Sequence, residues 1–186
     1  MITKFKLFEN ENKDIESLIE WGDYDGVLNY INEYGISTDE NLLTKAVNML
    51  YRFERKIDII KLLLKNGANV NEITEHNGWT PIFYAVDKSE YQVVDILLDA
   101  NPNLNIKTKL DRTILFFLRF DKNYLYEKYI LEPILKISDI DWNIKDINDK
   151  TFIDYLDDDN IKKLKDYNQK NYNKYLKNKN IKKFNI

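Results

Sequence analysis

The sequence predicts an all-α fold, a solenoid of stacked helix-turn-helix units joined by short hairpin loops, and three observations predict it. Two windows repeat one pattern: Asn77-Gly78-Trp79-Thr80-Pro81-Ile82-Phe83-Tyr84-Ala85-Val86, then Asp111-Arg112-Thr113-Ile114-Leu115-Phe116-Phe117, with Thr80 and Thr113 separated by 33 residues. A period of that length, holding two helical patterns and a turn, marks a repeat architecture. Within it, Val93-Val94-Asp95-Ile96-Leu97-Leu98 places apolar residues at helical spacing. The chain has 186 residues, 44% of them hydrophobic, and no cysteine, so it is long enough to bury a core without covalent staples.

Taken in order, the units number about five over residues 1–168, worn at both ends, with a Lys/Asn-rich tail or helix extension at 169–186. Ile15 to Glu33 supplies the first, Trp21-Gly22-Asp23 serving as its inter-helix turn and Val27 to Ile31 falling in its second helix. In the next, Ala46-Val47 lies in the first helix and Ile57 to Leu62 in the second, with an extra turn near Met49 to Glu54. Gly67 ends that helix, a place where a left-handed residue costs glycine almost nothing. Thr80 is placed to cap the following helix, and Pro81 sits just inside it, where its missing N–H removes only an orphan donor. Thr113 starts another unit, and Thr151 a further one after 38 residues, so the latter interval carries an insertion, expected around Asp121 to Lys128. Asn160-Ile161-Lys162-Lys163-Leu164-Lys165-Asp166-Tyr167 suits a polar capping helix.

These motifs resemble the ankyrin repeat. Gly78-Trp79-Thr80-Pro81-Ile82-Phe83-Tyr84-Ala85-Val86 stands where the family has Gly-x-Thr-Pro-Leu-His-x-Ala-Ala, and Gly67-Ala68-Asn69-Val70-Asn71 matches its Gly-Ala-Asp-Val-Asn. The resemblance assigns small Ala46 and Ala85 to close helix pairing, and Val94, Leu97 and Leu98 to the face met by the neighbouring unit. Three departures stand out. The family's histidine is Phe83, Phe116 and Asp154, so its loop-tethering hydrogen bond is expected to be absent; the proline is Ile114; and the small pair is Leu118-Arg119, bulk that predicts a shifted or splayed helix.

Catalytic and metal-binding readings find little support. The sole histidine, His76, maps to a hairpin tip with no nucleophile nearby, and Asp157-Asp158-Asp159 lacks the alternation and closing glutamate of a calcium loop, reading instead as an acidic inter-helix turn. Five glycines form no phosphate cradle. No enzyme activity, metal or cofactor is expected. The N-terminus lacks the apolar stretch of a secretory signal, the longest apolar run is Ile114 to Leu118, and none of the 23 asparagines lies in a glycosylation sequon. A cytoplasmic protein without a membrane span is expected, secretion as an effector remaining compatible. Lysine outnumbers arginine 24 to 4, and isoleucine also numbers 23, a bias of AT-rich coding rather than of mechanism.

Charge is divided unevenly. Nine lysines and one acid between Ile161 and Ile186 give +8 locally, leaving −11 on the rest of a chain of net −3. The acidic body suggests a partner with a basic surface, and the tail reads first as a solvated, frayed segment. A second reading gives the tail nucleic-acid contact through Lys174, Lys177, Lys179, Lys182 and Lys183 with Tyr172 and Tyr175 stacking, which the acidic body opposes.

The resemblance implies binding of another protein by a monomer, on the concave face formed by hairpin tips and first helices. By position that face holds His76, Asn77, Trp79, Asp87 and Lys88; then Lys109, Leu110, Arg112, Phe120 and Asp121; then Ile147, Asn148, Lys150, Asp157 and Asp158. Trp79 occupies a position whose folding role needs no apolar group, so Trp79, Leu110, Arg112 and Ile147 form a candidate contact strip; the other reading packs Trp79 along its own hairpin. A small stand-alone inhibitor or immunity-type protein is the leading role, with a host-directed effector or viral decoy, and then tail-mediated nucleic-acid binding, as alternatives.

Overall fold

The computed structural model describes residues 14–36, 41–48, 55–120, 123–137 and 139–184, with side chains to residue 179. The chain forms two compact units, Met1–Asn69 and Val70–Ile186. Among the described residues the regular structure is helical, with one isolated bridge, Lys145 to Thr151.

In the first unit, α1 (Ile15–Glu20) packs on α2 (Tyr24–Tyr34) and α3 (Leu42–Asn48), and α4 (Lys56–Lys65) packs on α2 and α3. Asp14 accepts from the Ser17 amide at 2.7 Å and Asp23 from the Gly26 amide at 3.0 Å, so both acids satisfy donors that the helix starts leave open. Ala46 is fully buried, as close helix pairing requires. Buried Lys56 donates from Nζ to the Val47 carbonyl at 2.7 Å, near the end of α3, where cations meet unpaired carbonyls favourably. Gly67, at φ +92°, ends α4: its amide donates to Leu64 O and that of Ala68 to Leu63 O, the two bonds of a left-handed helix stop. The extra turn expected at Met49 to Glu54 lies outside the described residues.

In the second unit, α5 (Pro81–Asp87) packs on α6 (Tyr91–Asp99), with Ala85, Val94 and Leu97 fully buried and Leu98 half-buried. Thr80 stands at the N-cap but its side chain makes no capping bond, contrary to expectation; it is buried instead. The bulk at Leu118-Arg119 acts as anticipated and goes further: the first helix of that unit shortens to a 3₁₀ turn, Ile114–Phe117, because Leu118 leaves helical geometry at ψ 134° and is itself buried. The next unit is equally short, Phe152–Tyr155. Of the insertion expected at Asp121 to Lys128, Asn123 caps and residues 124–128 begin a second helix. This helix runs through α7 (Tyr124–Tyr126), a π segment (Glu127–Leu131) and α8 (Glu132–Lys136). The wider turns directly precede Pro133, which has no N–H to keep the α ladder.

Of the two readings of residues 169–186, the structure has the helix extension and not the solvated tail. After α9 (Asp158–Tyr167), residues Gln169–Phe184 form a helix, α10, that is anchored to the repeats. Asn168 Nδ2 donates to Leu135 O at 2.7 Å and Asn171 Nδ2 to Ile137 O at 3.1 Å, satisfying carbonyls at the end of α8, and Tyr175 is 4% exposed. Residue 168 is therefore a junction between two packed helices and not the edge of the folded body.

Candidate protein-binding site

Three hairpins in the second unit carry most of the residues of interest, and the sequence explains their shared geometry. Each is closed by one backbone bond of 2.9 Å: Thr74 N to Trp79 O, Thr108 N to Arg112 O, and Asp146 N to Lys150 O. The side chain that opens each hairpin accepts turn amides, Thr74 Oγ1 from Trp79, Thr108 Oγ1 from Leu110 and Arg112, and Asp146 Oδ1 from Asn148 and Lys150. Gly78, Asp111 and Asp149 supply the left-handed residue before Trp79, Arg112 and Lys150, at φ +76°, +56° and +59°. Only glycine fits the first, since a Cβ there would lie 2.9 Å from Lys109 N. Consecutive hairpins are then stitched together, Lys109 N to Asn77 O at 3.1 Å and Ile147 N to Leu110 O at 3.2 Å.

Below the tips runs an aromatic row. Trp79 is half-buried, meeting Tyr84 and Phe117 edge to face at centroid distances of 5.0 and 5.1 Å and stacking on Phe83 at 6.1 Å. It is a wedge between neighbouring repeats with part of its ring still exposed. Arg112 occupies the equivalent place one repeat on, over Phe116 and Tyr155 at 6.0 and 5.9 Å, with Nε 3.4 Å from Asp146 Oδ2.

Asp146, whose side chain is fully shielded, is the electrostatic centre of this row. Burial pushes its pKa up, but bonds from the Tyr155 hydroxyl at 2.7 Å, the Asn148 and Lys150 amides and the Asn148 side chain outweigh that and hold the carboxyl down to about 2. Sequence reasoning missed Asp146 and Tyr155; the signal was Tyr84 and Tyr155, which fall four residues after Thr80 and Thr151 and whose hydroxyls each bond their own hairpin. Asp154, at the family's histidine position, also does more than expected: its Oδ2 accepts from the Thr151 amide and hydroxyl at 2.9 and 2.7 Å, and its Oδ1 from Lys179 of α10 at 3.1 Å. A tether is therefore present in that unit, though absent at Phe83 and Phe116.

The matches to known proteins agree with this architecture. A family model of ankyrin repeats in three copies matches residues 15–109, just over half of the chain. The chain belongs to the ankyrin-repeat family. It is 41% identical to human 2-5A-dependent ribonuclease over 71 residues, 37% of this chain and 9% of that protein. It is 33% identical over 103 residues to an ankyrin repeat protein of Acanthamoeba polyphaga mimivirus, 54% of this chain and 14% of the relative. The matches thus span a small fraction of these relatives' own lengths. Among solved structures, the ankyrin repeat domain of Bcl-3 aligns with TM-score 0.63 and 16% identity, covering 81% of this chain and 65% of that one, a likeness of fold.

Ankyrin repeats are protein-binding modules, and the remaining sites of this ankyrin chain can be placed accordingly. His76, Asp87, Lys109, Leu110, Ile147, Asn148 and Lys150 are exposed, while Asn77 and Lys88 are half-buried. Asn77 is engaged within its hairpin, bonding Thr74, Trp79 N and the Tyr84 hydroxyl. Phe120 is half-buried, and Asp121 lies outside the described residues. Asp157 caps α9 by accepting from the Asn160 amide at 2.8 Å, with Asp158 in its first turn, so these two serve the inter-helix turn and not the hairpin row. In α10, Tyr175 is too buried to stack on a base and Lys179 is held by Asp154, which removes two groups from the nucleic-acid reading; the side chains of Lys182 and Lys183 lie outside those described. Among the described residues no helix is long and apolar enough to cross a membrane, and no cluster of three His, Cys, Asp or Glu has metal-binding geometry.

Proposed function

We propose that this ankyrin protein binds a partner protein on the hairpin tips of its second unit, with Leu110 and Ile147 as the apolar anchors. The observation that carries this reading is their pairing. The two side chains are 48% and 59% exposed, and the bond from Ile147 N to Leu110 O fixes their backbones beside one another. Exposed apolar groups on a preorganised backbone bind with a reduced ordering cost. In this reading Trp79, half-buried, supports the strip from below. Tyr155, 48% exposed and overlaid by Lys150 at 5.3 Å, extends the strip.

Charge at the strip refines the partner. Lys107 is paired with Asp111 and Lys145 with Asp149, leaving Lys109 and Lys150 as exposed cations without a carboxylate among the described residues. Complementarity at this surface therefore favours an apolar patch flanked by acidic groups, although the chain as a whole is acidic. The role we infer is occlusion of the partner's surface, the mode of an inhibitor or immunity-type protein. Affinity purification from the native cell tests it: wild-type protein should retain a specific partner that the double variant Leu110→Asp/Ile147→Asp loses while still folding. Capture of the same partner in equal yield by that variant would sink the assignment.

A further inference from the structure

Beyond the tips, the second unit holds two consecutive backbone docking sites and the acceptors for a third. The segment Asn103-Leu104-Asn105-Ile106-Lys107-Thr108-Lys109 is held at both ends: Asn103 N donates to Asn71 Oδ1 at 2.7 Å and Lys109 N to Asn77 O at 3.1 Å. The segment Asp141-Trp142-Asn143-Ile144-Lys145-Asp146-Ile147 repeats this on its neighbour, with Asp141 N to Asn105 Oδ1 at 2.7 Å and Ile147 N to Leu110 O at 3.2 Å. Each segment has seven residues, its first and seventh amides acting as donors, and both contain Asn-Ile-Lys at the same places.

The third set of acceptors is in place. Asn143 follows Asn71 and Asn105 in the series, and Asn148 follows Asn77 and Leu110. Asn143 Nδ2 donates to Asp141 Oδ1 at 3.0 Å, and among the described residues nothing donates to Asn143 Oδ1 or to the Asn148 carbonyl. Asn143 lines an open cleft of about 520 Å³ between the third hairpin and α10, together with Lys145, Thr151, Asp154, Tyr175 and Lys179. Both ammonium groups there are paired with carboxylates, so the cleft presents no net charge to an occupant.

We propose that this edge is a second binding site, taking a seven-residue segment of a partner protein that turns at its second and third residues, as both seated copies do, and whose first and seventh amides donate to Asn143 Oδ1 and the Asn148 carbonyl. Two filled copies of the same acceptor pair in this molecule define the occupant: what seats on them is a segment with Asn-Ile-Lys at its third to fifth places, held through its first and seventh amides. Asn143 Oδ1 and the Asn148 carbonyl repeat the filled pairs of one side-chain and one backbone oxygen, so a chain presenting two amides at that spacing satisfies both. Because the cleft is charge-balanced, binding here is insensitive to salt, unlike any steering by Lys109 and Lys150 at the tips.

The probe is a synthetic peptide with the sequence of residues 139–149, titrated into isotope-labelled full chain and followed by amide chemical shifts. Saturable shifts confined to residues 143–154 and 175–179, with affinity falling tenfold or more when the peptide amides matching Asp141 and Ile147 are N-methylated, are expected. Asn143→Ala should weaken binding similarly, and Asn178→Trp, which changes an exposed cleft-lining residue on α10 and touches neither acceptor, should block it; circular dichroism confirms that each variant is folded. Absence of saturable shifts, or equal binding by the methylated peptide, overturns the proposal. Self-association of the chain without peptide, abolished by Asn143→Ala, also overturns it by giving the edge to a second copy. The Leu110→Asp/Ile147→Asp variant should still bind the peptide, so the two sites fail separately.

Discussion

Replacing Trp79 with alanine removes the wedge on which two repeats meet, and the size of the effect follows from its surroundings. A tryptophan buries about 150–250 Å² when enclosed. Trp79 is mostly covered, so at least roughly 100 Å² at about 25 cal/mol per Å² gives about 2–3 kcal/mol. The edge-to-face contacts with Tyr84 and Phe117 add about 0.5–1.5 kcal/mol, and residual compactness of the unfolded chain returns a part. The expected loss is about 2–4 kcal/mol, which for a chain of this size lowers Tm by about 5–15 °C. Urea and thermal unfolding followed by far-ultraviolet circular dichroism measure it. Trp21→Ala is the internal control, because that ring is 74% exposed and its loss should cost less than about 0.5 kcal/mol. A Trp79→Ala change below about 1 kcal/mol, indistinguishable from the control, would refute the wedge and return Trp79 to the surface as a contact residue.

Further outcomes are expected elsewhere in the second unit. Leu97→Ala, at a fully buried position, should cost about 2–5 kcal/mol in urea unfolding through the cavity it leaves. Gly78→Ala should destabilise by about 1–3 kcal/mol in the same assay, since φ is +76° and the new Cβ would stand 2.9 Å from Lys109 N. Asp146 is held at about 2 against an ordinary value of 3.8, so folding favours its ionised form: its contribution is complete above about pH 4 and lost as pH falls towards 2. Asp146→Ala should therefore lower stability at pH 7 and flatten the acid limb of the stability profile measured by denaturant titration. Deleting residues 178–186 should leave the unit folded, because Asn168 and Asn171 keep their bonds and Tyr175 stays near Thr151 although the Lys179 contacts to Tyr175 and Asp154 are lost, whereas deleting from 169 onward should lower Tm further by removing Tyr175 and exposing the surface that covers it.

Local rules made much of this protein legible in its sequence. A left-handed stop at Gly67, a proline at the first position of α5 and apolar residues at helical spacing in α6 act within a few residues of themselves, and the recurrence of Thr80, Thr113 and Thr151 carries the repeat. Exposure of Leu110, Ile147 and Lys150 at hairpin tips follows from the same register. What the tertiary structure decided depends on groups that meet across repeats. Trp79 is drawn partly under cover because Phe117, 38 residues further on, stands beside it, and no local pattern records that meeting. Asp146 gathers Arg112 from one side and Tyr155 from the other, so its importance is a sum over three separate segments. The tail reads as solvated because its lysines are hydrophilic one by one; it is held by Asn168, Asn171 and Tyr175, whose partners on α8 and Thr151 lie 24 to 34 residues away. Sequence fixes what each residue prefers within its own turn of helix, whereas burial and charge pairing arise only when distant repeats are stacked, and that stacking set the division between scaffold and surface.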